Sequence, residues 1–419
     1  MRFGVVGHSA LAQEAVALWS SLGHEVLAAG WPEGAGDGAV ERMPSVGALL
    51  DSLEPLRRVF VFGDDEVLAE SYILALAARL DVSDVVVDAA ISSPEGPARR
   101  MAMLSQPRAR YVGFGLLSQD GGLRQATILG GGHKVGFDLV ATLLEDLVGK
   151  GQCWYVGAGG AGQILSKLLA AFAWVERAAL AEYASLLVNG CGVGAAEVAL
   201  AVRGWGVQAG ETPSLEAVAR ELECGGPRVD LAVKGASVEE QAASLLMSSG
   251  VASWMVFAAF YGRFSGGSSA KEREVHKSRY PRPANAELPA IGVLLEDCRA
   301  SFLALRVIAT VEFAEILGPV SDAWSLQASV VDCLRLLRGA HLTRSPMYEP
   351  FVTAAADPHG LSLLAYPRVQ FMLSPLVPAL RRVCQLAVAT GVSMPVVAAC
   401  LQHFDGKTSP WAGLRLGGA

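Results

Sequence analysis

The stretch Phe3-Gly4-Val5-Val6-Gly7-His8-Ser9-Ala10-Leu11-Ala12 decides the fold. A short apolar run that ends in glycine and passes into helical spacing through Leu22 reads as a buried strand turning into a helix. Similar apolar runs recur at Glu25-Val26-Leu27-Ala28, Val59-Phe60-Val61-Phe62, Val85-Val86-Val87 and Tyr111-Val112-Gly113-Phe114. Such runs, spaced by helical segments, predict a parallel sheet buried on both faces: a doubly wound, Rossmann-like α/β domain. The stretch Pro32 to Asp37 reads as a loop.

The opening turn can be tested against a dinucleotide. The fingerprint G-x-G-x-x-G uses its glycines for a tight turn, close approach to the pyrophosphate, and packing of helix on strand. Here Gly7 holds the first place, and the small residues Ser9 and Ala12 hold the others. An ordinary βα turn accounts for the same residues. At the end of the second strand, an acidic residue would read the ribose of NAD and an arginine the 2′-phosphate of NADP. That place holds Gly30-Trp31-Pro32, with neither charge. Trp31 offers a face for adenine, or is an exposed loop residue. Asp64 and Asp65 would repel a pyrophosphate and are expected to cap the next helix instead. The expected cofactor contacts are Gly7, Ser9, Ala10, Leu11, Trp31, Phe62 and Gly63, with NADP or NAD left open.

Beyond Gly162 the strand signals fade and the spacing is helical nearly to the end. The expected division is an α/β domain over 1–155 and a large all-α domain over 156–419, with halves near 156–285 and 286–419. Of the 419 residues, 52% are hydrophobic and 18% charged, with a formal net charge of −7. This excludes disorder and gives no basic surface for nucleic acid. Mean hydropathy is +0.37, which raises the question of a membrane. The uncharged stretch from Ala242 to Gly262 is long enough to span, but Ser248-Ser249-Gly250 interrupt it, so two short helices are expected. A lone Arg2 before a run that ends in a glycine turn is not a signal peptide. The seven cysteines are scattered without CxxC pairing, and the seven histidines lack metal spacing. The expectation is therefore a cytoplasmic protein with reduced thiols and no metal.

Six short motifs, taken in order, carry a family resemblance. They are Tyr155-Val156-Gly157-Ala158-Gly159-Gly160-Ala161-Gly162, which leads into a helix with Ala181-Glu182-Tyr183; Val233-Lys234-Gly235; Leu295-Glu296-Asp297-Cys298-Arg299; Leu337-Arg338-Gly339 with Arg344-Ser345; Gly391-Val392-Ser393-Met394-Pro395; and Phe404-Asp405-Gly406. The chain resembles 6-phosphogluconate dehydrogenase, within the β-hydroxyacid dehydrogenase superfamily, over nearly its whole length. The resemblance implies a Rossmann domain, a large all-α domain and a homodimer.

The family's chemistry is where this chain departs. Family members oxidise a sugar-acid hydroxyl with NADP and then decarboxylate, using a lysine base, an asparagine that holds it, and a glutamate acid. Counted without gaps from Gly162, those positions are Ser166, Ala170 and Ala173. Lys167 comes one residue late, turned by about 100°, and is expected on a solvated surface. Two substrate loops of the family correspond to Ala89-Ala90-Ile91-Ser92 and Leu117-Ser118-Gln119 and are largely apolar here. The resemblance does place Lys234 and Arg263 on the family's phosphate ligands, with Trp174 in place of its tyrosine; a point charge and a planar fork suit an anion.

The expected function is a diverged NAD(P)-dependent oxidoreductase acting on a small anionic hydroxy or keto acid, imine or sugar-like compound. Ser166, Lys167 or a bound water would serve its proton chemistry. The alternatives are a catalytically inactive binding or scaffold protein, and a non-redox enzyme that reuses the pocket. Fold alone does not choose among them.

Overall fold

A computed structural model describes residues 1–32, 40–90, 93–105, 108–118, 122–209, 213–224, 236–265, 275, 279, 287–339, 345–357 and 362–410. These form two compact units. The first is Met1–Leu169 with Pro319–Ser329 and Ala340–Leu342; the second is Ala170–Gly318, Val330–Gly339 and Thr343–Ala419.

The first unit is built on an eight-stranded sheet. Its strands are β1 (Arg2–Val6), β2 (Glu25–Ala29), β3 (Glu41–Met43), β4 (Arg58–Val61), β5 (Val85–Asp88), β6 (Arg110–Leu117), β7 (Thr127–Gly132) and β8 (Cys153–Gly157). Their order across the sheet is β3-β2-β1-β4-β5-β6-β7-β8, so the order reverses beside β1. Neighbours pair in parallel through β6, β7 runs antiparallel to β6, and β8 is parallel to β7.

Both faces are covered. Helices α1 (Ala10–Ser21) and α5 (Lys134–Val148) bury Ala12, Trp19, Val140 and Leu143 against Phe3, Phe60 and Ile128. On the other face, α2 (Val46–Asp51) and α3 (Glu66–Ala77) bury Leu49, Leu50, Ile73 and Leu76 against Leu27, Val59 and Val86. Trp19 is fully buried, meets the Phe3 ring edge-on at 4.9 Å, and donates its Nε1 proton to the Leu143 carbonyl at 2.8 Å. Burial of one such apolar side chain contributes about 1.5–3 kcal/mol.

All five strands expected from the sequence are present, and three more were not anticipated. The edge strand β3 is polar, and β7 ends in three glycines, which a β-propensity reading passes over. Those glycines have a purpose. The long helix α6 (Ala161–Ser185) crosses β6 and β7 almost backbone to backbone. A Cβ on Gly115 would lie 2.1 Å from the Gly162 carbonyl oxygen, and one on Gly131 would lie 2.5 Å from the Gly162 nitrogen. Only glycine permits that approach. Helix α4 (Gly96–Met103) also meets the start of α6, where a Cβ on Gly160 would lie 2.6 Å from Pro97 Cβ.

The second unit is helical among its described residues. It continues α6 and contains α7 (Ala195–Ala209), α8 (Pro213–Cys224), α9 (Ala236–Ser248), α10 (Trp254–Ser265), most of α11 (Ile291–Trp324), α12 (Val330–Gly339), α13 (Glu349–Ala355), α14 (Pro367–Leu373), α15 (Val377–Thr390) and α16 (Pro395–Thr408). The apolar stretch from 242 to 262 is two helices, as expected. Gly250 (φ 67°) breaks it, and Ser253 restarts it by accepting from Val256 N at 3.1 Å. Among the described residues no single helix is long and apolar enough to cross a membrane.

Candidate active site of the first unit

The crevice at the reversal of strand order is made by three strand ends. Gly7, at φ 90°, donates its N–H to the Ala29 carbonyl at 3.0 Å, and Phe62 N donates to Val6 O at 2.9 Å. A Cβ on Gly7 would lie 1.9 Å from the Phe62 carbonyl oxygen, so glycine is required on conformation and on space. Ser9 caps α1 by accepting from Ala12 N at 3.1 Å. Ala10 and Leu11 open that helix, whose first turn carries no acidic residue. First-turn N–H groups without intrahelical partners are what an anion meets at a helix start. The half-buried Trp31 packs edge to face with His8 at 4.9 Å.

The expected cofactor residues Gly7, Ser9, Ala10, Leu11, Trp31, Phe62 and Gly63 therefore gather around the ends of β1, β2 and β4. The Phe62 side chain is buried in the core, leaving only its backbone at the crevice. Asp65 caps α3 through Leu68 N at 2.7 Å, as expected. Sequence reasoning missed Tyr72. Its ring lies 2.9 Å from where a Cβ on Gly7 would stand, and its hydroxyl 3.0 Å from the same point on Gly30. The small-residue turn and the capped helix start free of carboxylates fit a dinucleotide, while the Tyr72 ring closes over Gly7 and Gly30.

A second cluster lies at the end of β5. Asp88 is fully buried, and its Oδ2 accepts from Arg100 Nε and from the Tyr111 hydroxyl, each at 2.6 Å. Asp88 Oδ1 accepts from Ala90 N at 3.1 Å, and Gln163 Nε2 donates to the Asp88 carbonyl at 3.2 Å. Burial, then the Asp88 charge, pushes the Tyr111 phenol well above its usual value, so it remains a donor. None of this was anticipated. The available signal was a carboxylate closing an otherwise apolar strand, Val85-Val86-Val87-Asp88.

Lys167 belongs beside this cluster. It stands one helical turn after Gln163, on the same face of α6. The expected solvated lysine is not what the structure shows. Lys167 is half-buried, and its pKa falls from 10.5 to about 8, first through burial and next through Arg100, against the opposing pull of Asp88 and Glu66. Ser166 is buried on a different face, where its hydroxyl donates to the Gln163 carbonyl at 3.0 Å and faces Gly115.

The expected anion ligands belong to the second part of the chain. Lys234 and Arg344 lie outside the described residues, as do Ile91, Ser92 and Gln119 of the two loops. Arg263 is placed on α10 by its backbone alone. Trp174 is half-buried, and among the described residues its Nε1 finds no hydrogen-bond acceptor. Arg338 pairs with Glu349, tying α12 to α13.

A Rossmann-type α/β unit followed by a large helical unit is the class these features define. Residues 234–417 match the family model of the 6-phosphogluconate dehydrogenase C-terminal domain. The chain is 23% identical over 384 residues to the decarboxylating 6-phosphogluconate dehydrogenase of Klebsiella pneumoniae, covering 87% of this chain and 81% of that one. The Escherichia coli enzyme is also 23% identical, over 385 residues, with the same coverage. The solved structure of Plasmodium falciparum 6-phosphogluconate dehydrogenase superposes with a TM-score of 0.88 at 16% identity, covering 99% of this chain and 94% of that one. The chain is thus similar to 6-phosphogluconate dehydrogenase, at 23% identity in sequence and over nearly its whole length in fold.

Proposed function

We propose that the chain is an NAD(P)-dependent oxidoreductase acting on a small anionic hydroxy or keto acid, imine or sugar-like compound, and that 6-phosphogluconate is not its substrate. The observation that carries this reading is the place of Lys167, a half-buried amine one helical turn after Gln163 and beside the Asp88 cluster at the end of β5, where burial lowers its pKa to about 8. A group with that pKa populates both protonation states near neutral pH, as a general acid or base must. The NADP+ complex named for the Plasmodium enzyme supports the choice of cofactor class.

In this reading the start of α1 and Ser9 hold the pyrophosphate, and Trp31 borders the adenosine end. A bound nicotinamide supplies or accepts the hydride. Lys167 delivers a proton to the substrate oxygen or nitrogen during reduction, or removes it during oxidation. Decarboxylation calls for further acid chemistry, and Ala170 and Ala173 offer no titratable group. Reduction needs only one proton donor and is the favoured direction. Lys234 and Arg263, with Trp174, would hold the substrate's anionic group. Large apolar side chains left exposed on the helical unit, among them Trp254, Tyr261, Phe371 and Val388, suit a homodimer, which we place in the cytoplasm with its thiols reduced.

Calorimetric titration with NADPH, NADP+, NADH and NAD+ tests the reading. Micromolar binding of one reduced form is expected, as is no absorbance rise at 340 nm with 6-phosphogluconate and NADP+. Absence of binding at millimolar cofactor would instead support a scaffold.

A further inference from the structure

Arg100 is the most heavily constrained cation in the first unit. Its side chain has zero exposure, its Nε is committed to Asp88 Oδ2, and among the described residues its Nη1 and Nη2 find no hydrogen-bond acceptor. The nearest other carboxylate oxygen, Glu66 Oε1, lies 3.9 Å from Nη1. That oxygen already accepts from Ser93 N at 3.2 Å, Ser93 Oγ at 3.0 Å and Arg99 Nη2 at 2.8 Å. A buried guanidinium with two unused nitrogens is costly to keep and invites a reason.

Helix geometry supplies one. Pro97 packs on Gly160, so the faces of α4 and α6 that meet there continue one turn on to Arg100 and Gln163, and a further turn on to Lys167. Gln163 confirms the face by donating to the Asp88 carbonyl. Among the described residues, the charged groups that act on Lys167 are Arg100 from α4, Asp88 from β5 and Glu66 from α3. Tyr111 from β6 is held neutral.

We propose that Arg100 is the positioning residue for Lys167: Arg100, Tyr111 and Gln163 all close on Asp88, and one helical turn beyond Gln163 the Lys167 amine stands beside a fixed, fully buried positive charge. Arg100 itself stays charged. Burial disfavours its positive form, but Asp88, by charge and hydrogen bond, and Glu66 raise its pKa above the ordinary value. Burial is the larger influence on the Lys167 amine; Arg100 adds to it, and Asp88, which anchors the guanidinium, opposes it. The assignment rests on the reading of Lys167 as the proton-transfer group.

The test reads the amine directly and needs neither cofactor nor substrate. The full chain is pulsed with acetic anhydride over pH 6 to 11. The rate of Lys167 acetylation is followed by peptide mass spectrometry. Wild type is expected to show a midpoint near 8. Arg100→Met should raise it by about one pH unit or more, and Arg100→Lys should hold it near the wild-type value. Asp88→Asn, close to isosteric, should move it the other way, below wild type, and decides the matter if Arg100→Met does not fold. A wild-type midpoint near 8 that neither Arg100→Met nor Asp88→Asn moves overturns the role of Arg100 and leaves the proposed function standing. A wild-type midpoint near 10.5 overturns both.

Discussion

The Glu182 carboxyl on α6 accepts from the backbone N–H groups of Val396 at 2.8 Å and Val397 at 3.0 Å, capping α16 across more than 200 residues of chain. Burial pushes its pKa from 4.5 to about 8, against the opposing pull of the two backbone donors. A carboxyl raised in the folded state contributes stability that is fully present below its unfolded value and is lost as pH rises through the folded one. Wild type should therefore lose stability relative to Glu182→Gln between about pH 4.5 and 8. Urea unfolding at several pH values in that window checks this. A constant difference between the two proteins would show that Glu182 does not titrate there.

Ser9→Asp separates the cap of α1 from its proposed use. Aspartate caps a helix as well as serine, so the melting temperature should hold within about 2 °C. The added carboxylate faces the proposed pyrophosphate site, where repulsion of about 4 kcal/mol at short range would weaken dinucleotide binding by 100-fold or more. Calorimetry on the variant, beside its melting curve, provides both readings.

Gly115→Ala should be far costlier than most glycine substitutions in strands. The new methyl would stand 2.1 Å from the Gly162 carbonyl oxygen and 2.6 Å from Ser166 Oγ. Forced relaxation of α6 away from β6 should destabilise the chain by about 1–3 kcal/mol, measured by denaturant midpoint.

In the helical unit, Glu176 and Arg306 form a buried ion pair at 3.1 Å, with side chains 8% and 1% exposed. Glu176→Ala should cost about 3–5 kcal/mol, because it strands the guanidinium. A Glu176→Leu/Arg306→Met double variant removes both charges and should recover most of that loss. If the double variant is as unstable as the single one, the pair is not the source of the cost.

What could be read from the chain follows from which signals are local. Phe3–Val6 and Val85–Val87 announce buried strands by composition, and Gly7 announces the turn. The strand β7 was illegible because its glycines answer to separate neighbours, Gly130 to the Phe137 ring, Gly131 to the Gly162 backbone of α6 and Gly132 to the Tyr111 carbonyl, which a sequence window does not relate. The helical step between Ser166 and Lys167 was reckoned correctly, and the two side chains do face different ways. What the step alone does not tell is what each face meets: Ser166 turns to Gly115 on the sheet, and Lys167 is half-buried within the influence of the cluster at the end of β5. Asp88, Arg100, Tyr111 and Gln163 are up to 75 residues apart, and no periodicity links them.

The glycine seam between α6 and the β6–β7 pair acts as a ruler. Where side chains separate two elements, a substitution of one methylene slides them, and the spacing drifts as sequences diverge. Here main chain rests on main chain at Gly115, Gly131 and Gly162, and no side-chain layer is present to thicken or thin. The height of α6 above the sheet is thereby fixed by atoms that every residue shares. Side chains on the turns of α6 away from this seam are free to be exchanged while the distance from helix to strands stays the same. A scaffold gauged in this way can change its chemistry without renegotiating its geometry.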